Sequence, residues 1–278
     1  MTDAPLQQNG SLAIVTGAAR GIGAAIAGRF SDAGYAVALW DFNGEGAAEE
    51  AARLRAGGRK AISAKVDVAD EAMVDAAARA AEWAFGMPAV LVNNAAIRHR
   101  APLEALSRVA WDREIATNLT GVFVCTQIVG RRMLAIGKGT IVNIASMAGT
   151  YGQAMRGAYT PAKAGVIGLT SLTAVEWGGR GIRCNAISPG MISTPAHAEA
   201  YGDITLREAR EAMVPLARIG SGEDIADVAV FLASDASRYI NGANIPVDGG
   251  VTKALIGLMP MPAGNGEIKT TLEQLRLR

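Results

Sequence analysis

Short apolar runs alternate with helical segments along most of the chain. The runs have the length of buried strands and cover 12–15, 35–40, 61–66, 89–92, 139–144, 182–187 and 245–247. After the first run, Ile22, Ile26 and Phe30 recur at the spacing of one helix face. Strands that are apolar on both faces and alternate with helices are typical of a parallel sheet covered by helices on each side. The pattern therefore predicts a doubly wound, Rossmann-like α/β fold.

The domain organisation follows from the lack of an internal break in the sequence. Neither a Pro/Ser-rich linker nor an abrupt change of composition divides residues 1–250, so we predict one dinucleotide-binding and catalytic domain there. In the extension 251–278, a Met-Pro-Met-Pro stretch at 259–262 precedes a terminal helix that is predicted to begin at Thr270. The extension is expected to pack on its own subunit or across an interface, with a mobile tail as the alternative.

Composition and charge narrow the class of protein. Of the 278 residues, 50% are hydrophobic and 19% are charged, and the formal net charge is +1, so neither nucleic acid nor an anionic membrane is an expected partner. No apolar run approaches the roughly 20 residues of a bilayer span, and the N-terminus lacks secretion-signal features, which predicts a cytoplasmic protein. Cys125 and Cys184 are expected to be buried thiols. No metal site is predicted, because His197 has no second metal-type ligand close by in the sequence.

A glycine-rich turn follows the first predicted strand. Residues 16–23 read Thr-Gly-Ala-Ala-Arg-Gly-Ile-Gly and open the first helix, where a dinucleotide pyrophosphate binds in sheets of this type. Glycines let the backbone approach the phosphates, and the N–H groups of the helix start face the anion. Glycine spacing alone is weak evidence, because any tight turn between a strand and a helix can use it.

Asp41 ends the second predicted strand, where a carboxylate can hydrogen-bond the adenosine ribose hydroxyls. Its charge would repel a 2′-phosphate, so NAD is favoured over NADP, although Arg20 beside the turn could offset part of that repulsion. The alternative interpretation of Asp41 is a helix cap or a loop carboxylate.

Three residues further along suit proton transfer to and from an alcohol oxygen. Ser146 follows the fifth predicted strand, and Tyr159 and Lys163 share one face if their segment is helical. A tyrosine with an ordinary pKa of about 10 can act as acid and base only if its phenolate is accessible, and a nearby lysine ammonium favours the phenolate. Ser146 could hydrogen-bond the substrate oxygen and orient it.

These elements together resemble the short-chain dehydrogenase/reductase family over roughly residues 11–250. Besides the turn and the three residues above, the matching positions in the family's order are Asp67, Val68, Asn93, Asn94, Ala95, Asn118, Pro189 and Gly190. One position departs from the family pattern, because Ala96 stands where a glycine usually follows Asn-Asn-Ala, and the loop is therefore expected to sit slightly differently.

The resemblance implies roles for individual residues. Tyr159 would be the acid and base, Lys163 would bind the nicotinamide ribose and tune Tyr159, Ser146 would position the substrate, and Asn118 would help to hold a proton-relay water. The positions implied in cofactor binding are Gly17, Arg20, Gly21, Ile22, Gly23, Asp41, Asp67, Val68, Asn94, Ala95, Tyr159, Lys163, Pro189, Gly190, Ile192 and Thr194. Taken one by one, Asn118 could bond its own helix backbone and Ser146 could cap a strand end.

The resemblance also places substrate selection after Thr194, in residues 195–216. This stretch mixes polar side chains (His197, Glu199, Tyr201, Asp203 and Arg207) with apolar ones, which favours a small or medium polar, cyclic or aromatic alcohol. His99, between Arg98 and Arg100, lies in a loop near the expected cleft and could meet an acidic substrate. Family members commonly form tetramers through helices corresponding to 103–135 and 158–178, although an intramolecular core explains the apolar content of the second segment equally well.

Three rival functions remain open at this point. A sugar epimerase or dehydratase that retains NAD would use the same framework, and net turnover of the cofactor would tell it apart. A non-catalytic NAD-binding regulator is disfavoured because Ser146, Tyr159 and Lys163 are all present. Nucleic-acid binding through the arginines at 98, 100, 131 and 132 is disfavoured because these charges are scattered and lack interleaved aromatic residues.

Overall fold

A parallel seven-stranded sheet forms the centre of the protein. The computed structural model describes residues 10–195, 203–254, 260–262 and 268–270. The strands are β1 Leu12–Thr16, β2 Ala36–Asp41, β3 Ala61–Lys65, β4 Pro88–Asn93, β5 Gly139–Ile144, β6 Ile182–Pro189 and β7 Asn244–Val247. Their order is β3-β2-β1-β4-β5-β6-β7, and every neighbouring pair is parallel. All seven predicted strands and the doubly wound fold are therefore confirmed.

Helices cover both faces of this sheet. They are α1 Gly21–Asp32, α2 Gly44–Ala56, α3 Glu71–Phe85, α4 Arg108–Ile115, α5 Gly121–Ile136, α6 Tyr159–Trp177, α7 Ile204–Met213 and α8 Gly222–Ala233. One buried cluster lies between the sheet and α1 and α8, around Ile26, Phe30 and Leu232. A second cluster lies between the sheet and α3 and α5, around Val74 and Met133. Burial of apolar side chains on both faces stabilises the sheet and leaves its strand ends for ligands.

Both cysteines lie in the second cluster. Cys125 and Cys184 are fully buried free thiols, which confirms the expectation. Burial raises the pKa of each thiol to about 12, because removal from water disfavours the charged thiolate. Neither thiol is therefore a reactive nucleophile near neutral pH.

A continuous helical run covers Arg108–Ile136 and contains α4, a π-helical turn at Ala116–Thr120, and α5. Its length and mean hydropathy of 1.3 would allow it to cross a membrane, but 44% of its most apolar window is buried inside the fold. The α5 part packs on α3 and β4. A core helix passes the same test of length and hydropathy, so the run does not indicate a membrane span.

The C-terminal extension contains two short strands. β8 Pro260–Pro262 pairs antiparallel with β9 Ile268–Thr270. Thr270 thus ends a strand, and the prediction that a helix begins there is wrong at that residue, while the remainder of the predicted helix lies outside the described residues. Proline is tolerated at the edge of a two-stranded ribbon because its missing N–H need not face a partner.

Candidate functional site

The carboxyl ends of β1, β2, β4, β5 and β6 meet along one edge of the sheet. The strand order reverses between β1 and β4, and ligands of open α/β sheets bind at such a switch point. The glycine-rich turn follows β1, Asn94 follows β4, Ser146 follows β5, and Gly190 follows β6. The residues predicted for cofactor and catalysis are therefore gathered at one edge.

Close backbone packing explains the glycines of the turn. Gly17 has φ +66°, and a Cβ there would lie 2.8 Å from the Cα of Ala95. A Cβ at Gly23 would collide with the carbonyl oxygen of Gly17. α1 begins at Gly21 with Arg20 at the N-cap position, and no described side chain caps it. Its first N–H groups are thus available to an anion.

The loop after β4 is fastened to this turn. The Thr16 hydroxyl accepts the N–H groups of Asn94 and Ala95, each at 3.0 Å. The Asn94 amide donates to the carbonyl oxygens of Thr16 and Gly17, also at 3.0 Å. Among the described non-glycine residues, positive φ occurs at Met155 and Ala217. Ala96 therefore takes up its place in the loop without the positive φ that would require glycine.

Asp41, at the end of β2, is hydrogen-bonded to the glycine-rich turn. Its carboxylate accepts the N–H of Ala19 at 2.9 Å through Oδ2 and the N–H of Asn43 at 2.8 Å through Oδ1. The side chain thus acts as a loop carboxylate, as the alternative interpretation held, and it also lies beside the phosphate turn. The negative charge is fixed by these bonds where the chain leaves β2.

Two further segments frame the same edge. After β3, Asp67 accepts the N–H of Ala69 at 3.0 Å, and Val68 is buried against the start of α5 at Gly121. After β6, Ile192 pairs with Gly220, and a Cβ at Gly21 would lie 3.5 Å from the Cβ of Thr194. The segment from Pro189 to Thr194 therefore reaches the start of α1.

Ser146, Tyr159 and Lys163 come together where β5 meets α6. Lys163 is 1% exposed; its Nζ donates to the carbonyl oxygen of Ile144 at 2.6 Å and lies 5.7 Å from the ring centroid of Tyr159. Ser146 caps a short 3-10 turn by accepting the N–H of Ala148 at 3.1 Å. A Cβ at Gly149 would lie 2.8 Å from the backbone of Lys163. This close packing holds the end of β5 against the start of α6.

Burial and nearby groups shift the pKa of the Tyr159 phenol in both directions. Burial, with a smaller contribution from the charge of Glu114, raises this pKa above its ordinary value, and a hydrogen bond with Ser146 and the charges of Arg98 and Arg156 offset part of that rise. Burial lowers the pKa of Lys163 to about 8. The sequence predicted Lys163 as the positive charge that favours the phenolate, and it did not assign this effect to the two arginines.

Asn118 is fully buried in the π-helical turn between α4 and α5. Its amide oxygen accepts the N–H of Ile97 and its amide nitrogen donates to the carbonyl oxygen of Ile97, both at 2.8 Å. The alternative in which this side chain bonds its own helix is wrong, because its partner is the loop after β4. Its role in holding a relay water stays a prediction.

Glu114 is a residue that sequence reasoning missed. It is 1% exposed on α4 and accepts the N–H groups of His99 at 2.5 Å and Ala158 at 2.6 Å. The loop after β4 and the residue before Tyr159 are thereby joined through one carboxylate. The available signal was a charged residue one helical turn before Asn118, on the same face.

The polar residues predicted to contact substrate have different outcomes. Asp203 caps α7 by accepting the N–H of Leu206 at 3.1 Å, and Arg207 pairs with Glu211 at 2.9 Å, so both are engaged within that helix. His197, Glu199 and Tyr201 lie outside the described residues. No three metal-ligating side chains lie together within the described ranges.

Comparisons with known proteins agree on one family. The sequence profile described as enoyl-(acyl carrier protein) reductase matches residues 17–252. The D-threitol dehydrogenase of Mycolicibacterium smegmatis is 44% identical over 90% of this chain and 96% of its own length. The cis-4-hydroxycyclohexanecarboxylate dehydrogenase of Sinomonas cyclohexanicum is 43% identical over 87% and 96%. A gluconate 5-dehydrogenase from Burkholderia cenocepacia, solved with NADP and tartrate, has a TM-score of 0.85 and 36% identity over 90% and 98%.

Proposed function

The chain belongs to the short-chain dehydrogenase/reductase family and interconverts a secondary alcohol and a ketone with a nicotinamide cofactor, and we propose that Tyr159 carries the proton transfer. The observation that supports this role is the meeting of Ser146, Tyr159 and Lys163 at the strand edge that also bears the glycine turn. A secondary alcohol loses a hydride from carbon and a proton from oxygen, and the phenol is the group of this set suited to the proton.

The residues present fit a dinucleotide. Gly17 and Gly23 let the turn pack closely on itself and on the loop after β4, and the start of α1 presents N–H groups to an anion. We assign Asp41, Asp67 and Val68 to the adenosine part, and Asn94, Ala95, Lys163 and the 189–194 segment to the nicotinamide part. The bound nicotinamide supplies the acceptor or donor for hydride.

The residues of this chain have distinct tasks in the proton transfer. The Ser146 hydroxyl holds the substrate oxygen and also bonds the Tyr159 phenol, so that both oxygens are oriented. Tyr159 takes the hydroxyl proton in oxidation and returns it in reduction. Lys163, fixed to Ile144 by its hydrogen bond, stabilises the phenolate with its charge. Asn118 fixes the loop at Ile97 that lies before Arg98.

We further propose NAD as the preferred cofactor. The support is the Asp41 carboxylate, which is held next to the glycine turn by the N–H groups of Ala19 and Asn43 and would repel a 2′-phosphate. The Burkholderia relative was solved with NADP, so a preference for NAD would distinguish this chain from that relative. Because the relatives act on threitol and on a hydroxycyclohexanecarboxylate, we propose a small or medium polar or cyclic alcohol as substrate.

The assembly that we propose is a homotetramer formed through the α5 and α6 surfaces. Phe123 on α5 and Leu172 and Val175 on α6 are exposed apolar side chains, which a second subunit would cover. The core buries Val166 of α6 and leaves the other face open. We place the enzyme in the cytoplasm, where two reduced buried thiols are expected. No nucleic-acid or membrane partner is part of this proposal.

The test is nicotinamide absorbance with NAD and with NADP against polyols, sugar acids, hydroxy acids and cyclic alcohols. We expect turnover of at least one class, and a loss of about 10²-fold or more in kcat for Tyr159→Phe with cofactor binding retained. Tyr239→Phe is the matched control, since Tyr239 is 100% exposed, and it should retain full activity. Full activity of Tyr159→Phe would refute the assigned role.

A further inference from the structure

Basic side chains gather beside Tyr159. The guanidinium carbon of Arg98 lies 5.8 Å from the Tyr159 ring centroid. Arg156 lies three residues before Tyr159, in the turn that leads into α6, and its carbonyl oxygen accepts the Tyr159 N–H at 3.0 Å. Both arginines act on the phenol, since their charges lower its pKa. The Arg98 guanidinium thus lies beside the proposed acid and base, and the charge of Arg156 also acts on it.

The positive charge extends beyond these two residues. The pKa of Arg156 is lowered by burial and by the like charges of Arg98, Arg100 and Arg210. Arg100 lies in the loop after β4, and Arg210 lies on α7, so three different parts of the chain contribute. The whole chain has a formal net charge of only +1, so this concentration of charge is local. Like charges held together favour an anion between them.

A buried frame holds the arginine-bearing segments in place. Glu114 accepts the N–H of His99, which stands between Arg98 and Arg100, and the N–H of Ala158, which stands between Arg156 and Tyr159. Gly157 has φ +55°, and a Cβ there would lie 2.8 Å from Glu114 Oε2 and 3.0 Å from the His99 carbonyl oxygen. Both carboxylate oxygens of Glu114 thus accept main-chain N–H groups. The arginines therefore project from a fixed backbone.

We propose that Arg98 and Arg156 bind an oxyanion of the substrate, so that the preferred substrate is a secondary alcohol bearing a carboxylate or a phosphate. This inference rests on the proposed function, because it assigns the substrate class of the same site. A guanidinium fork pairs with two oxygens of either group. The short separation of Arg98 from the Tyr159 ring requires only a few carbon atoms between the hydroxyl and the anion.

The first test compares matched substrates. Steady-state kinetics would use 3-hydroxycyclohexanecarboxylate, its primary amide, and 2-hydroxypropyl phosphate. The wild type should favour a charged substrate over the amide by at least about tenfold in kcat/KM, and Arg156→Gln and Arg98→Gln should remove most of that preference. Taking the ratio of acid to amide cancels any effect of the arginines on the Tyr159 pKa. Arg238→Gln, at an exposed arginine outside this cluster, is the control and should leave the ratio unchanged.

The kinetic outcomes distinguish a phosphate site, a carboxylate site and the absence of an oxyanion site. If the preference over the amide is larger for the phosphate than for the carboxylate, the group that the arginines bind is a phosphate. The reverse order would identify that group as a carboxylate. Equal kcat/KM for the acid, the amide and the phosphate in the wild type would overturn the inference, as would an equal loss with the charged substrates and the amide in the arginine variants.

A binding measurement separates this inference from the proposed function. Isothermal titration calorimetry would use cyclohexanecarboxylate and cyclohexanecarboxamide, neither of which has a hydroxyl to oxidise. We expect the carboxylate to bind at least about tenfold more tightly than the amide, and Arg156→Gln to remove the difference. If no alcohol is turned over but this difference persists, the proposed function fails and the oxyanion site stands. If both compounds bind equally, the oxyanion site is refuted even in an active enzyme.

Discussion

At the scale of single residues, Glu114 joins parts of the chain that lie far apart in sequence. A carboxylate that is 1% exposed costs free energy unless its oxygens are bonded, and the two backbone N–H groups of His99 and Ala158 supply those bonds. A glutamine has one acceptor oxygen, so its NH₂ group would face one of these donors. The charge of Glu114 therefore matters even though no cation pairs with it among the described residues.

Replacing the Glu114 carboxylate tests whether it holds the segments at His99 and Ala158 together. Glu114→Gln should lower the free energy of unfolding by about 1–3 kcal/mol, because one buried donor loses its acceptor. Urea denaturation followed by circular dichroism would measure it. Glu104→Gln, at an exposed glutamate of the same region, is the control and should change stability little. Equal stability of the two variants would contradict this stabilising role of Glu114.

A single residue, Asp41, is also expected to set the preference for NAD over NADP. Asp41→Ser should raise the kcat/KM ratio of NADP to NAD by at least about tenfold, because the fixed charge beside the turn is removed. The control is Asp112→Ser, since Asp112 lies on the exposed side of α4 in an ion pair with Arg108. If the ratio stays constant in Asp41→Ser, this carboxylate does not select the cofactor.

At the scale of elements, the contact between α5 and α6 depends on a missing side chain. Gly130 of α5 lies against the Trp177 ring at the end of α6, where a Cβ would overlap the ring. The two helices can approach closely only because this position is glycine. The same pair carries Tyr159 and Lys163 on α6, so the packing also sets where the catalytic helix begins.

Two alanine variants separate packing from helix propensity. Gly130→Ala should destabilise the protein by about 1–3 kcal/mol, since Trp177 must shift. Gly28→Ala in α1 should be neutral or stabilise by up to about 1 kcal/mol, because only Arg53 lies within 4 Å of the new Cβ. Thermal unfolding of both variants would measure the effect. Stabilisation by Gly130→Ala would show that the two helices are not in close contact.

At the scale of the whole molecule, the apolar surface on α5 and α6 predicts assembly. Val175 is 82% exposed in the single chain. Val175→Glu should lower the mass measured by light scattering after size-exclusion chromatography, because a charge would be buried between subunits. The control is Trp83→Glu, whose side chain is 92% exposed and lies on α3 rather than on α5 or α6, and it should keep the parent mass. A parent mass for Val175→Glu would exclude α6 from the interface.

The sequence predicted the seven strands because hydrophobic period is a local signal. It predicted that the glycine turn meets Ser146, Tyr159 and Lys163 because strand ends of a parallel sheet share one edge and because the motifs resemble a known family. It did not predict the partners of Glu114 or Asn118, which lie 15 to 44 residues away and become neighbours only when the loop after β4 folds over the sheet edge. The strand at 260–262 was also missed, because prolines usually argue against strands and the pairing partner is not visible in a local pattern.

The bonds of Glu114 also bear on how this enzyme could change in evolution. Glu114 holds main-chain N–H groups, and any residue except proline provides one at positions 99 and 158. Side chains at 98, 100 and 156 can then be exchanged while the backbone that carries them keeps its shape. A library at these three positions would therefore vary both the charge presented to the substrate and the pKa of Tyr159, while the backbone that carries Ser146, Tyr159 and Lys163 keeps its place.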